Sequence, residues 1–264
     1  MTVLGVVWGT LAVTVLVAFT SSMSESLMKG RKGLGENLFV IHGGSTSRPY
    51  AGLAEGRSIR LTPEDVAAVQ AGVESIREIS QEFTRSGIEL SYSGRVRNVR
   101  LAAVDPPYGV MRNCLPQHGG RFINELDVRR RRRVAFLGAA IKERIFGSDV
   151  ALGRQVLIMG QPFVVIGSMK PKLQMSSYQG EGKNYVFVPS TTLAAMRNIR
   201  YVSNFVYRVY SGGDAERALT DVFRVLGSRH RFDAGDRNAL NEWDTAASVR
   251  ITQNIHTGVE ICLG

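Results

Sequence analysis

The chain has 264 residues, 44% hydrophobic and 21% charged, which excludes a chain too polar to bury a core and leaves room for one large domain or two small ones. Thirty-three Lys and Arg against 23 Asp and Glu give a net charge of +10, most of it arginine, so the partners to weigh are anionic lipid or nucleic acid; arginine-rich genome composition accounts for the excess equally well. Two cysteines, Cys114 and Cys262, are too few and too far apart for a disulfide framework, and no zinc-ligand spacing is present.

Residues 3 to 19 carry no charge and, with their neighbours, reach the roughly 20 residues that cross a hydrocarbon core about 30 Å thick. The competing reading is a secretory signal peptide, but no charged segment precedes the run, which is also long for one. Gly5 and Gly9 would let another helix approach closely. A membrane helix over 1–22 is expected, continuing as a stalk over 23–35 until Gly33 and Gly35 stop it. Lys29, Arg31 and Lys32 cast a weak vote for a cytoplasmic body, because the positive-inside rule is counted over short loops and long domains escape it.

Leu38 to Ile41 reads as a short buried strand closed by Gly43 and Gly44. Thr62, Pro63, Glu64 and Asp65 open a helix with a cap, a proline at its first position and acids in its first turn, and Val66, Val69 and Val73 form its buried face. From Val73 to Val104 the period becomes two and predicts three strands, with Ser93-Gly94 as the turn between the second and third. Arg129 to Arg133 directly precede the buried run Val134 to Gly138. They read as an exposed loop in a folded region more readily than as a nucleic-acid tract, with head-group contact left open.

Ala139 to Phe146 predicts a short helix ending at Gly147, and two apolar strands meet across Gly160-Gln161 in a hairpin. Lys170 to Lys183 reads as a polar loop, Tyr185 to Val188 as a strand, and Ser190 as the cap of a helix through Met196. Phe205 to Tyr210 is another strand. Asp214 is expected to cap an amphipathic helix whose face is Ala215, Ala218, Leu219, Val222, Phe223 and Leu226, stopped at Gly227. A helical pattern resumes at Asn238 and becomes fully apolar at Ile261 to Gly264, as the lip of a second membrane helix would.

No catalytic constellation is present. His42, His118, His230 and His256 are each isolated from candidate ligands, Glu125 and Asp127 read as a solvated acidic pair, and the usual hydrolase, zinc-protease and phosphate-loop motifs are missing. Arg95, Arg97 and Arg100 read as an exposed strand face with few aromatic neighbours, unlike a stacking platform for single strands. The expected site list is therefore empty: no catalytic, cofactor-binding or metal-binding residue, and no cofactor.

The order of these pieces resembles the MacB-type ABC transporter permeases, specifically the first membrane helix plus the periplasmic core domain. The resemblance is carried by Leu4-Gly5-Val6-Val7-Trp8-Gly9, by Gly35-Glu36-Asn37-Leu38, and by Leu61-Thr62 with Asp65-Val66. It continues through Gly119-Gly120-Arg121-Phe122 with Asp127, Val134 to Gly138, Phe146-Gly147, Leu152 to Val156, Phe163 to Gly167 and Gly258 to Gly264. The resemblance implies an α+β class: a membrane-anchored periplasmic body with a discontinuous porter-like α/β subdomain, 36–113 with 203–235, an inserted β-rich subdomain, 114–202, and a second stalk over 236–264.

It further implies a permease subunit, not an enzyme, that transmits ATP-driven change from a separate cytoplasmic ATPase to the periplasm. Localisation would be the bacterial inner membrane with the body in the periplasm. The partners implied are an ABC ATPase, a second permease protomer, a periplasmic adaptor with an outer-membrane channel, and membrane lipid, with no nucleic acid. Rival readings are a lipoprotein-releasing or cell-wall-hydrolase-activating permease of the same architecture, and a membrane-tethered binding or sensor domain without a transport role. A basic nucleic-acid binder rests only on the net charge and Arg129 to Arg133.

Overall fold

A computed structural model describes residue 8, residues 38–171 and residues 182–244. Its elements in chain order are β1 (Leu38–Gly43), α1 (Pro63–Gly72), β2 (Ile76–Tyr92), β3 (Arg95–Val104), α2 (Pro107–Met111), α3 (Glu125–Arg129), β4 (Val134–Leu137), α4 (Ala139–Phe146), β5 (Gln155–Ile158), β6 (Gln161–Ser168), β7 (Tyr185–Pro189), α5 (Ser190–Arg197), β8 (Asn204–Val209), α6 (Ala215–His230) and β9 (Leu240–Asp244). The class is mixed α and β, as expected. The membrane helix over 1–22, the stalk over 23–35 and the chain beyond 244 lie outside the described residues, and among those described no helix is long and apolar enough to cross a membrane.

All nine strands join one sheet in the order β3-β7-β4-β6-β5-β2-β8-β1-β9, and β2 also pairs with β3. That extra pairing closes six strands into a barrel and leaves β8, β1 and β9 as an open extension from the first half of β2. One core fills the barrel with Leu90, Leu101, Leu137, Val156, Phe163 and Val186, and continues beneath α1 and α6 through Val69, Val222 and Phe223. A second core, with Leu38, Val40, Phe136 and Phe187, lies on the opposite face beneath the segment that carries α2 and α3. β1 is apolar at consecutive positions because Phe39 and Ile41 face the first core while Leu38 and Val40 face the second.

The first two strands expected between Val73 and Val104 are a single strand, β2, of 17 residues. A bulge between Arg85 and Ile88 shifts its register against β3 and absorbs the break in alternation that suggested a boundary. Ser93 and Gly94, both at positive φ, make the turn into β3, whereas the β5–β6 turn falls on Met159 and Gly160, one residue earlier than expected.

The helix from Ala215 runs through Gly227 to His230 and ends on Arg231 in the left-handed region. Gly227 serves packing there, since a Cβ would lie 2.8 Å from the Phe232 carbonyl oxygen. Asp214 makes no side-chain capping bond, and Ser190 is the first residue of its helix, not its cap. The helix expected from Asn238 is corrected at its start, because residues 240–244 form β9, antiparallel to β1. Leu240 and Trp243, three apart, suit one helix face; the sheet is covered on both sides, so an odd spacing puts Leu240 in the first core and Trp243 against the second.

Candidate functional site

β1 lies between β8 and β9, and Phe39 pairs with Asp244. The described body is therefore entered at Leu38 and left at Asp244 on adjacent antiparallel strands. Ile76, at the start of β2, pairs with Val209 at this same end of the sheet, and from there β2 runs as a single strand into the barrel. At about 3.3 Å per residue the strand spans on the order of 50 Å.

Three buried carboxylates, Asp65, Asp127 and Asp236, and the half-buried Asp105 brace this frame. Thr62 caps the start of α1, as expected, and the Asp65 carboxylate accepts in return from the Thr62 N–H to complete a capping box. The same carboxylate reaches the last turn of α6, taking Arg229 Nε at 2.6 Å and His230 Nε2 at 2.7 Å. Asp65 is only 2% exposed. Burial alone would raise its pKa, but the His230 and Arg229 hydrogen bonds and the Thr62 N–H hold it well below the usual carboxylate range.

The expectation that the four histidines are isolated is corrected for His230. His42 is half-buried on β1 and has its pKa lowered by burial, His118 is exposed, and His256 lies outside the described residues.

Asp127, expected to be solvated with Glu125, is fully buried. It caps α3 with Asn124 and takes a forked pair of bonds from Arg121, at 2.5 and 3.1 Å, with Arg132 at 3.7 Å. Burial would raise its pKa; Arg121 and the Asn124 N–H bring it below the ordinary value. Arg132 leans back toward Asp127 with its side chain still partly exposed, while Arg129 at the end of α3 and Arg130, Arg131 and Arg133 on the turn before β4 are exposed, in keeping with the loop reading. Asp236 ties the loop after β1 to the approach of β9, accepting from the Ser47 backbone N–H and hydroxyl, each at 2.6 Å. Its pKa too ends low, against the effect of burial, through Ser47, Asn238 and Arg48. Asp105 differs: burial dominates the bonds from Ser190 and Gln81 and raises its pKa.

A pH dependence follows. Asp65, Asp127 and Asp236 are more acidic folded than unfolded, so their stabilisation is complete above the unfolded carboxylate pKa and is lost as pH falls below about 4. Asp105 acts in the opposite sense, since protonation relieves its burial cost. The unfolding midpoint in urea should fall steadily between about pH 5 and pH 2; a flat profile would contradict three depressed carboxylates.

These groups are held by saturating bonds from arginine, hydroxyl and backbone donors, an arrangement suited to bracing elements. Among the described residues no group of three or more His, Cys, Asp or Glu could hold a metal ion. Sequence reasoning found the Thr62 cap and the acidic first turn, and missed both the return bond between the Thr62 N–H and Asp65 and the distant partners of Asp65, which lie 164 and 165 residues away. The pair Arg229-His230 at the end of an amphipathic helix was the available signal, because cations there favour an acidic partner.

Residues 1–223 match the family of the MacB-like periplasmic core domain. A macrolide export ATP-binding/permease protein MacB of Bdellovibrio bacteriovorus is 24% identical over 247 residues, covering 93% of this chain and 38% of that protein. Its counterpart in Chlorobium luteolum is 27% identical over 239 residues, covering 89% of this chain and 35% of that one. The chain thus spans little more than a third of the length of these relatives. In fold it is similar to the periplasmic region of MacB from Actinobacillus actinomycetemcomitans, with a TM-score of 0.63 at 19% identity, covering 85% of this chain and 95% of that one. It is equally similar, at 0.63 and 20% identity, to the extracellular domain of the noncanonic ABC-type transporter YknZ from Gram-positive bacteria, covering 78% of this chain and all of that domain.

Proposed function

The chain belongs to the MacB-like periplasmic core domain family, and from that premise we propose that it is the periplasmic body of an ABC transporter permease that relays ATP-driven motion outward. The observation that carries this reading is the pairing of Phe39 with Asp244, which sets the chain's entry and exit side by side. A body mounted on two neighbouring segments moves as a lever when those segments shift against each other. β2, a single strand despite its bulge, then carries the shift to the barrel.

In this proposal the two lobes are 36–113 with 203–235 and the insert 114–202, the hairpin β2–β3 serving both. Residues 1–22 cross the bacterial inner membrane, and the body stands in the periplasm. ATP is hydrolysed on a separate subunit or domain, a second permease protomer completes the transporter, and an adaptor with an outer-membrane channel receives the cargo.

The test uses the full permease with its ATPase in nanodiscs, carrying a spin label on Val150→Cys, a position 70% exposed. Distances between the two protomers' labels should differ between nucleotide-free and ATP-trapped states. A flexible Gly-Ser insertion before Leu38 should abolish the difference while ATP hydrolysis continues. Identical distance distributions in both nucleotide states would overturn the relay and favour a tethered binding domain.

A further inference from the structure

The β2 bulge has a chemical consequence. Arg85 pairs with Leu101 and Ile88 with Val99, so Ser86 and Gly87 both stand opposite Arg100. Two residues facing one disrupt the ladder locally and turn backbone and side chains out of the strand. Gly87, at φ +69°, has open space where a Cβ would lie, so nothing blocks approach to its backbone. On its other side Arg100 pairs with Tyr185, the first residue of β7, and its guanidinium carbon lies 5.9 Å from the ring centroid.

Together Thr84, Arg85, Ser86, Arg100 and Tyr185 line a cleft of about 270 Å³. We propose that this cleft binds a small oxyanion group, a carboxylate or a phosphate. Its lining holds two guanidiniums and three hydroxyls and no carboxylate. Planar guanidinium forks match both oxyanions, and hydroxyl donors complete the shell. Two further charges lie behind the wall. Glu82 is buried, accepts from Tyr108 Oη at 3.1 Å and Asn204 Nδ2 at 2.7 Å, and its negative charge is felt at Tyr185. The positive charges of Arg100, beside the ring, and of Arg112, 5% exposed, oppose it there. Burial raises the Tyr185 pKa, which keeps its hydroxyl a donor. The volume lies below the roughly 300–1,000 Å³ of pockets for drug-sized ligands, so the cleft suits one charged group more than a whole large molecule.

The test is calorimetric titration of the full chain in neutral detergent with inorganic phosphate and, separately, succinate, at ionic strength held constant with chloride. Saturable binding of either is expected. It should weaken at least tenfold in Arg100→Gln and in Arg85→Gln, and stay unchanged in Arg97→Gln, an exposed residue of the same strand outside the lining. Thr84→Val, which leaves both arginines and the Arg100–Tyr185 contact in place, should weaken it several-fold. Thermal unfolding in chloride identifies any variant that has lost its fold. The stronger arm tells whether phosphate or carboxylate is the natural chemistry. Non-saturable heat, or equal affinity in all four variants, would mean an adventitious ion only and would overturn the site.

Discussion

Phe136→Ala is expected to lower the unfolding free energy by about 3–5 kcal/mol, the range for truncating a fully buried aromatic. Phe136 is 0% exposed on β4. Its ring meets Phe122 edge-on at 4.9 Å and Phe187 at 6.2 Å. The walls around the void have little freedom to collapse. A Cβ on Gly167 would lie 3.2 Å from the Phe136 ring and only 2.7 Å from the Arg121 carbonyl oxygen, and one on Gly109 would lie 2.4 Å from the Phe122 ring. Backbone and aromatic ring are thus already at contact. The cluster also pins the segment carrying α2 and α3 over the barrel wall, so its loss should loosen that cover first. Urea unfolding of the purified chain measures the effect, with Val110→Ala, 64% exposed, as a control expected within about 0.5 kcal/mol of the parent. A Phe136→Ala loss below about 1 kcal/mol would mean that the second core repacks freely.

Asp65→Ala should cost about 2–3 kcal/mol, because one substitution removes half of a capping box and two charge-assisted bonds between α1 and α6. The figure sits below the usual penalty for breaking a buried ion pair because Arg229 is 41% exposed and regains water when its partner is lost. Asp65→Asn keeps an acceptor for the Thr62 N–H and should recover part of the loss. Either change should also flatten the acid limb of the stability profile, since the most strongly depressed carboxylate is removed. An Asp65→Ala chain with the parent's urea midpoint and parent's acid profile would show that the two helices are held by Val69, Val222 and their apolar neighbours alone.

Much of the fold is legible where its cause is local. The Thr62-Pro63-Glu64-Asp65 start of α1, the Ser93-Gly94 turn and the apolar run of β1 follow from capping, backbone freedom and burial within a few residues. The misread places share a different cause. Gly227 looks like a stop because glycine so often ends a helix; here the close approach of Phe232 needs the missing side chain. Leu240 and Trp243 look helical until both faces of the sheet are seen to be covered. β2 looks like two strands because a bulge breaks its alternation.

By itself, the amino-acid sequence determined the element types, most of their limits, the apolar positions that must be buried and the family resemblance, because caps, turns and periodicities are settled by neighbours along the chain. Only the tertiary structure decided that β2 closes a barrel with β3, that Asp65 finds Arg229 and His230, that Asp127 turns inward on Arg121, and that Leu38 and Asp244 adjoin. Those outcomes depend on which strand edges and charged groups meet across separations that exceed 200 residues for the pairing of Phe39 with Asp244. Such meetings are chosen by the packing of two shared cores, and no local pattern records them.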